Sequence, residues 1–140
     1  MIRYFKNGDE KVIAELEKEC FFCPWSEQAV LSSANNDCLF VLYEQDGIVK
    51  GYAGLQIVLD EGYITNVAVG PSFRRQGVAR ALMEELIKKL DTLSFISLEV
   101  RESNIAAINL YTSLGFKNEG KRKNFYDAPK EDALIMTKRR

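Results

Sequence analysis

The sequence predicts a mixed α/β domain built on one central sheet. Three observations carry that expectation. The hydrophobic period switches along the chain from helical to alternating and back. Turn and cap residues mark nearly every switch. No linker, low-complexity segment or repeat interrupts the 140 residues, a length that suits one domain spanning 1–140.

The elements follow in order. "IRYF" (2–5) reads as a short first strand. Val12, Ile13, Leu16 and Cys20 share one face at helical spacing and predict a helix over 9–20, with Asp9 as its N-cap and Pro24 beyond its end. Ser26, followed by Gln28 and the apolar pair Ala29 and Val30, predicts a second short helix closing at Asn35–Asn36. "CLFVLYE" (38–44) is β-rich, and Asp46–Gly47 is a strong hairpin signal. "IVKGYAGLQIVL" (48–59), a turn at Glu61–Gly62 and "YITNVAVG" (63–70) complete a three-strand meander. Gly51 and Gly54 within a strand mark a bulge or a close backbone approach. Val78, Leu82, Met83, Leu86, Ile87 and Leu90 define an amphipathic helix. "FISLEV" (95–100) is a strand. Ser103 or Asn104 caps the last helix, with Ala107, Leu110, Tyr111 and Leu114 marking its faces and Gly115 its stop. "FKNEGKRKNFY" (116–126) and "DALIMTKR" (132–139) close the chain as two strands.

Composition bounds the function. Hydrophobic residues make up 46% of the chain and charged residues 28%, which describes a soluble globular protein with one real core. The net charge of -1 offers no basic field for nucleic acid. No apolar run approaches the roughly 18 residues of a membrane span. The N-terminus lacks a signal-peptide core, so the cytoplasm is the expected compartment. The three cysteines, Cys20, Cys23 and Cys38, fit no closed disulfide framework. "CFFC" (20–23) has the form of a metal or redox motif. With no histidine and no second cysteine pair, packing of small apolar thiols is the favoured reading, and no metal is expected.

One stretch departs from an ordinary core pattern. In "VAVGPSFRRQGVARAL" (67–82), an apolar strand breaks at Gly70–Pro71 and a helix resumes near Gly77. The first N–H groups of a helix have no internal partner, and the helix dipole adds positive charge there. The N–H groups of Gln76 to Arg80 would therefore face an opening at the strand's end. Gly77 admits close backbone approach, and Arg74, Arg75 and Arg80 supply cations. A phosphate or pyrophosphate suits such a corner. A tight turn with solvated arginines is the alternative. No lysine or hydroxyl follows Gly77, so this is not a P-loop. The third glycine of a dinucleotide fingerprint is also missing.

Arg74-Arg75-Gln76-Gly77-Val78-Ala79 closely resembles the acyl-CoA signature of the GNAT superfamily of N-acetyltransferases, Q/R-x-x-G-x-G/A. The resemblance extends through "CPWSE" (23–27), "VLDEGYITNVAV" (58–69), "LEVRESNIAAINLYTSLGF" (98–116) and "KNFYDAPKEDALIM" (123–136). These stretches are similar to the branch that acetylates the N-terminal alanine of a ribosomal protein. The resemblance implies a twisted mixed sheet of about seven strands with about four helices, split in the middle to admit acetyl-CoA. It implies that the loop amides of Arg74 to Arg80 hold the pyrophosphate and that Val67, Ala68 and Val69 hold the pantetheine arm. The acceptor would be the α-amine of a protein N-terminus, that of a small-subunit ribosomal protein; a lysine side chain or small amine as acceptor, or an acyl-CoA-binding module without transfer, is the alternative.

Amine acetylation needs a proton acceptor, an oxyanion donor and a proton donor for the thiolate. In "FISLEV", Glu99 alternates off the face opposite Ile96, Leu98 and Val100, near the end of a strand where α/β sheets bind ligands. A solvated strand carboxylate would look the same, but the resemblance places the proton acceptor here. Asn104, Ile108 and Tyr111 share a helix face. Tyr111 taken alone reads first as a core residue of an amphipathic helix. The resemblance makes it the proton donor and Asn104 a cofactor contact. The oxyanion would meet a backbone N–H at Val69 or a neighbour. Trp25 and Tyr126 are the candidates to wall an acceptor groove, although isolated aromatics of this kind more often belong to a core.

Overall fold

A computed structural model describes residues 1–140. The elements are β1 (Ile2–Tyr4), α1 (Asp9–Cys20), α2 (Glu27–Ala34), β2 (Cys38–Gln45), β3 (Ile48–Val58), β4 (Glu61–Val69), α3 (Val78–Ile87), β5 (Phe95–Arg101), α4 (Ile105–Ser113), β6 (Lys117–Asp127) and β7 (Lys130–Arg139). The seven strands form one sheet in the order β1-β2-β3-β4-β5-β7-β6. Every neighbouring pair is antiparallel except β4 and β5. No helix is long and apolar enough to cross a membrane.

Strand alternation sorts the side chains into two cores. Phe40, Leu42 and Tyr52 pack with Ile13 and Leu16 of α1 and Val30 of α2. Val41, Ala53 and Leu55 pack with Val78, Leu82, Met83 and Leu86 of α3, in a cluster that continues to Tyr111 of α4 and Phe116. Leu82, Met83 and Leu86 are fully buried. Each side chain of that kind contributes about 1.5–3 kcal/mol relative to exposure.

Two sequence expectations need correction. Asp9 does not cap α1. The N-cap is Gly8, and Asp9 is buried inside the first turn. Its carboxylate accepts from the Arg3 guanidinium at 2.8 and 3.0 Å and from the Lys6 N–H at 2.8 Å, so it ties β1 to the start of α1. The β3–β4 turn lies at Leu59–Asp60, and Glu61 and Gly62 already belong to β4. Gly62 is a close-approach residue: a Cβ there would sit 3.0 Å from Leu93 and 3.1 Å from Leu55.

The expectation of a bulge or close approach at Gly54 resolves into both. Ala53 pairs with Val67 and Leu55 with Ile64, so Thr65 and Asn66 of β4 together oppose Gly54. A Cβ on Gly54 would collide with the Thr65 hydroxyl and lie 2.8 Å from the Phe40 ring. The extra residue bends β4. β4 and β5 pair only through Glu61–Tyr63 and Phe95–Ser97. Past the bulge they part, and the sheet splits.

Candidate active site

The split opens a cleft of about 430 Å³ between β4 and β5. One wall comes from Phe21, Phe22 and Cys23 after α1, and the other from the tip of β6 at Phe125 and Tyr126. Ile64 to Val67 of β4 and Leu98 to Arg101 of β5 form its sides, with Asn104 and Tyr111 of α4 behind. Val67, Glu99, Asn104 and Tyr111 are the lining residues that the sequence pointed to, whereas Ala68 is buried in the second core, paired with Tyr52 of β3.

β4 presents its backbone to the gap in a defined way. The Gly70 N–H donates to Lys50 O at 2.9 Å, which turns that residue toward β3. Polar groups alternate along an antiparallel ladder, so Val69 and Val67 direct theirs toward the split. The Val69 carbonyl accepts from Arg74 Nε at 3.2 Å and from the Cys20 thiol at 3.4 Å. Its N–H and the polar groups of Val67 face the gap, with the geometry of a strand edge awaiting an extended partner.

The corner after β4 is a set of free donors. A short 3-10 turn at Pro71–Phe73 leads to Arg75, with φ 63°, and Gly77, with φ 79°. No N–H from Gln76 through Arg80 donates to a protein acceptor, and the first to do so is Ala81, to Gly77 O at 3.0 Å. These donors and the α3 dipole make an anion cradle. Gly77 earns its place differently from the sequence reading. No atom lies within 4 Å of a Cβ built there, so the positive φ demands glycine, and the open space lies in front of the donors. The cations are not all free. Arg74 folds back on Val69 O, and Arg80 donates to Ser113 Oγ at 2.8 Å, while Arg75 has no protein partner. Gln76 reaches back to Ser72 O at 3.4 Å.

On β5 the alternation holds: Ile96, Leu98 and Val100 are buried, and Glu99 turns into the cleft. Its carboxylate is 32% exposed and lies 3.4 Å from Arg122 Nε of β6. Tyr111 is buried at the back of the cleft. Burial, and to a lesser degree the neighbouring Tyr126, push its phenol up to about 12. It is therefore a neutral O–H across the physiological range. Asn104 caps α4 by accepting the Ala107 N–H at 3.2 Å and also borders the cleft.

Tyr126 stands in the wall of the cleft, whereas Trp25 does not line it. Its ring packs edge-on to Phe40 in the second core, with centroids 6.4 Å apart. The tip of β6 is pinned by Arg101, a residue the sequence reading passed over. Its guanidinium sits 4.2 Å over the Tyr126 ring and donates to Pro129 O at 2.8 Å and Ala128 O at 3.2 Å. It also pairs with Glu131 at 3.2 Å. Glu17 was missed as well. It lies four residues after Ile13, on the buried face of α1, and a carboxylate at a core-facing position is the signal that marks it.

Comparison with known proteins agrees with this geometry. The family model for the acetyltransferase (GNAT) family matches residues 11–116. The [ribosomal protein bS18]-alanine N-acetyltransferase of Escherichia coli strain K12 is 42% identical over 139 residues, covering 96% of this chain and 94% of that protein. The crystal structure of the ribosomal-protein-S18-alanine N-acetyltransferase from Escherichia coli superposes with a TM-score of 0.91 at 37% identity, covering 99% of this chain and 92% of that one. Arabidopsis thaliana NAA60 in complex with acetyl-CoA shares the fold, with a TM-score of 0.86 at 19% identity over 98% of this chain and 96% of that one. With its split sheet, its donor corner and this degree of likeness, the chain belongs to the acetyltransferase (GNAT) family.

Proposed function

We propose that this chain transfers the acetyl group of acetyl-CoA to the α-amine of a protein N-terminus, the N-terminal alanine of ribosomal protein bS18. The observation that carries the reading is the single cleft that brings Glu99 and Tyr111 together beside the split strand, with the free donors of Gln76 to Arg80 at the strand's end. The acceptor's identity rests on the relatives, which carry that activity in their names over nearly their whole length.

The residues fit acetyl-CoA. Five consecutive unpartnered N–H groups suit a pyrophosphate. The gap-facing backbone of Val67 and Val69 suits the amides of a pantetheine arm. Acetyl-CoA supplies the activated acetyl group. Glu99 takes the proton that the ammonium must lose before it can attack, directly or through one water. The Val69 N–H faces the developing charge on the thioester oxygen. Tyr111, a neutral O–H across the physiological range, gives its proton to the departing thiolate as the C–S bond breaks. Transfer is direct. Burial pushes the Cys38 thiol up to about 11, and no histidine exists to activate it.

Mass spectrometry of two peptides incubated with protein and acetyl-CoA tests the reading. One begins with a free alanine. The other has a blocked N-terminus and an internal lysine. One acetyl group gained by the first alone is the expected result. Modification of the blocked peptide would move the acceptor to a lysine side chain, and modification of neither would sink the proposed acceptor.

A further inference from the structure

Glu17 is the only glutamate or aspartate with no solvent exposure, and no lysine or arginine pairs with it. It sits in the last turn of α1, where the helix dipole disfavours a negative charge. Burying a carboxylate is costly unless hydrogen bonds satisfy it. Three neutral donors do so here. The Trp25 N–H donates to Oε1 at 2.9 Å. The Tyr52 hydroxyl donates to Oε2 at 2.7 Å, and the Asn66 amide to the same oxygen at 2.8 Å. An apolar side chain of similar volume would fill this space without the desolvation cost.

The donors show what the carboxylate does. Asn66 is a bulge residue opposite Gly54, directly before Val67 of the split strand. Trp25 follows the Phe21–Cys23 wall of the cleft. Tyr52 belongs to β3, the strand against which β4 bends. One buried group thus joins the strand that faces the acyl donor to the segment that walls the acceptor. We propose that Glu17 is a positioning residue for acetyl transfer, which acts through Asn66 on β4 and through the Trp25 backbone on the acceptor wall. It touches no reacting atom. The proposal rests on the acetyl-transfer reading above.

The variant Glu17→Gln keeps the volume but replaces one acceptor by an NH2 group. Whichever way the amide lies, at least one of the three donors faces a donor. A misplacement of about 1 Å can cost about a hundredfold in rate. The expected result is a fall in kcat of about ten- to a hundredfold and an acetyl-CoA Kd raised several-fold by calorimetry, in protein that circular dichroism shows folded at the assay temperature. Asn66→Ala should give a similar loss. The double variant should lose no more than the worse single, because the two act in series. Tyr52→Phe removes the third bond but touches neither wall. It should lower the melting temperature and leave kcat and both KM values unchanged.

Unchanged kinetics in folded Glu17→Gln, with only the melting temperature reduced, would make Glu17 merely structural and overturn the proposal. So would losses that multiply in the double variant. If Glu17→Gln does not accumulate folded, Asn66→Ala decides alone, and wild-type kinetics in that variant would end the idea. A wild-type protein that binds acetyl-CoA but acetylates no peptide would count against the acceptor assignment, while the calorimetric comparison would still judge Glu17.

Discussion

The donor corner can be tested by a matched pair of glycines. Gly8 and Gly77 are both helix N-caps in the left-handed region, with φ 104° and 79°. Neither has an atom within 4 Å of a Cβ built on it. Alanine therefore meets no steric clash at either site, and each substitution carries only the left-handed strain of about 1–2 kcal/mol. For a chain of this size that lowers Tm by roughly 3–8 °C. The two variants should be alike in stability and differ in ligand binding. At Gly77 the added methyl, or the relaxation of φ that relieves it, disturbs the N–H groups of Gln76 to Arg80, none of which has a protein partner. Losing one charge-assisted hydrogen bond costs about 1.5–3 kcal/mol, or about 10- to 100-fold in Kd.

Isothermal titration with acetyl-CoA, alongside thermal melts of the unliganded proteins, reads both quantities. The expected outcome is similar Tm losses, a Kd for Gly77→Ala weakened at least tenfold on the estimate above, and a wild-type Kd for Gly8→Ala. Wild-type affinity in Gly77→Ala would show that the corner does not hold the pyrophosphate. Equal weakening in Gly8→Ala would show that affinity merely follows stability.

Three further outcomes follow from the cleft. Glu99→Gln should lower kcat by about 10²–10⁴, the range of a lost general base, with acetyl-CoA affinity retained; comparable loss of both would assign Glu99 to structure. Tyr111→Phe should slow transfer and spare the fold, and it should also flatten the alkaline limb of stability. Tyr111 titrates near 10 when unfolded and at about 12 when folded. Its contribution, roughly 3 kcal/mol for that difference, is complete below pH 10 and is lost as pH rises through 12. Urea unfolding at pH 9 and pH 11.5 should therefore show a smaller drop in the Phe variant, and equal drops would remove Tyr111 from the account. Arg101→Ala should raise the acceptor KM about tenfold or more, since charge-assisted bonds worth roughly 1.5–3 kcal/mol release the β6 tip. Its acetyl-CoA Kd should not change, and a changed Kd with an unchanged acceptor KM would refute the assignment.

What the sequence showed and what it hid divide along the range of the physics. Element order and type were legible because hydrophobic period, Ser26 and Asn104 caps and the Asp46–Gly47 turn act over a few residues. Glu99 was legible because period 2 within β5 decides which face it takes, and Tyr111 because its helix face follows from Asn104. Asp9 misled because an acidic residue at a helix start is the usual sign of a cap, while its real partner, Arg3, comes from β1. Trp25 misled because the core it joins is built by Phe40 from a distant strand. Arg101 acts through partners 27 and 28 residues away, and Glu17 through partners 8, 35 and 49 residues away, a combination that no local pattern encodes.

Glu17 and Glu99 both border the cleft, and their surroundings decide which one suits the role of the proposed base. A base must meet the amine in its unprotonated form and then release the proton to solvent. The Glu17 carboxylate has no exposure, and three donors occupy most of the roughly four acceptor sites of a carboxylate. A proton placed there would have to displace one of those donors, and it would have no way out. Glu99 has one loose partner, Arg122 at 3.4 Å, and its side chain is 32% exposed. An incoming amine or a bridging water can replace that partner at little cost, because exposed ion pairs contribute less than about 1 kcal/mol. Two carboxylates in one cleft therefore take different roles. On the proposed reading, the saturated one holds the walls in place and the open one takes the proton.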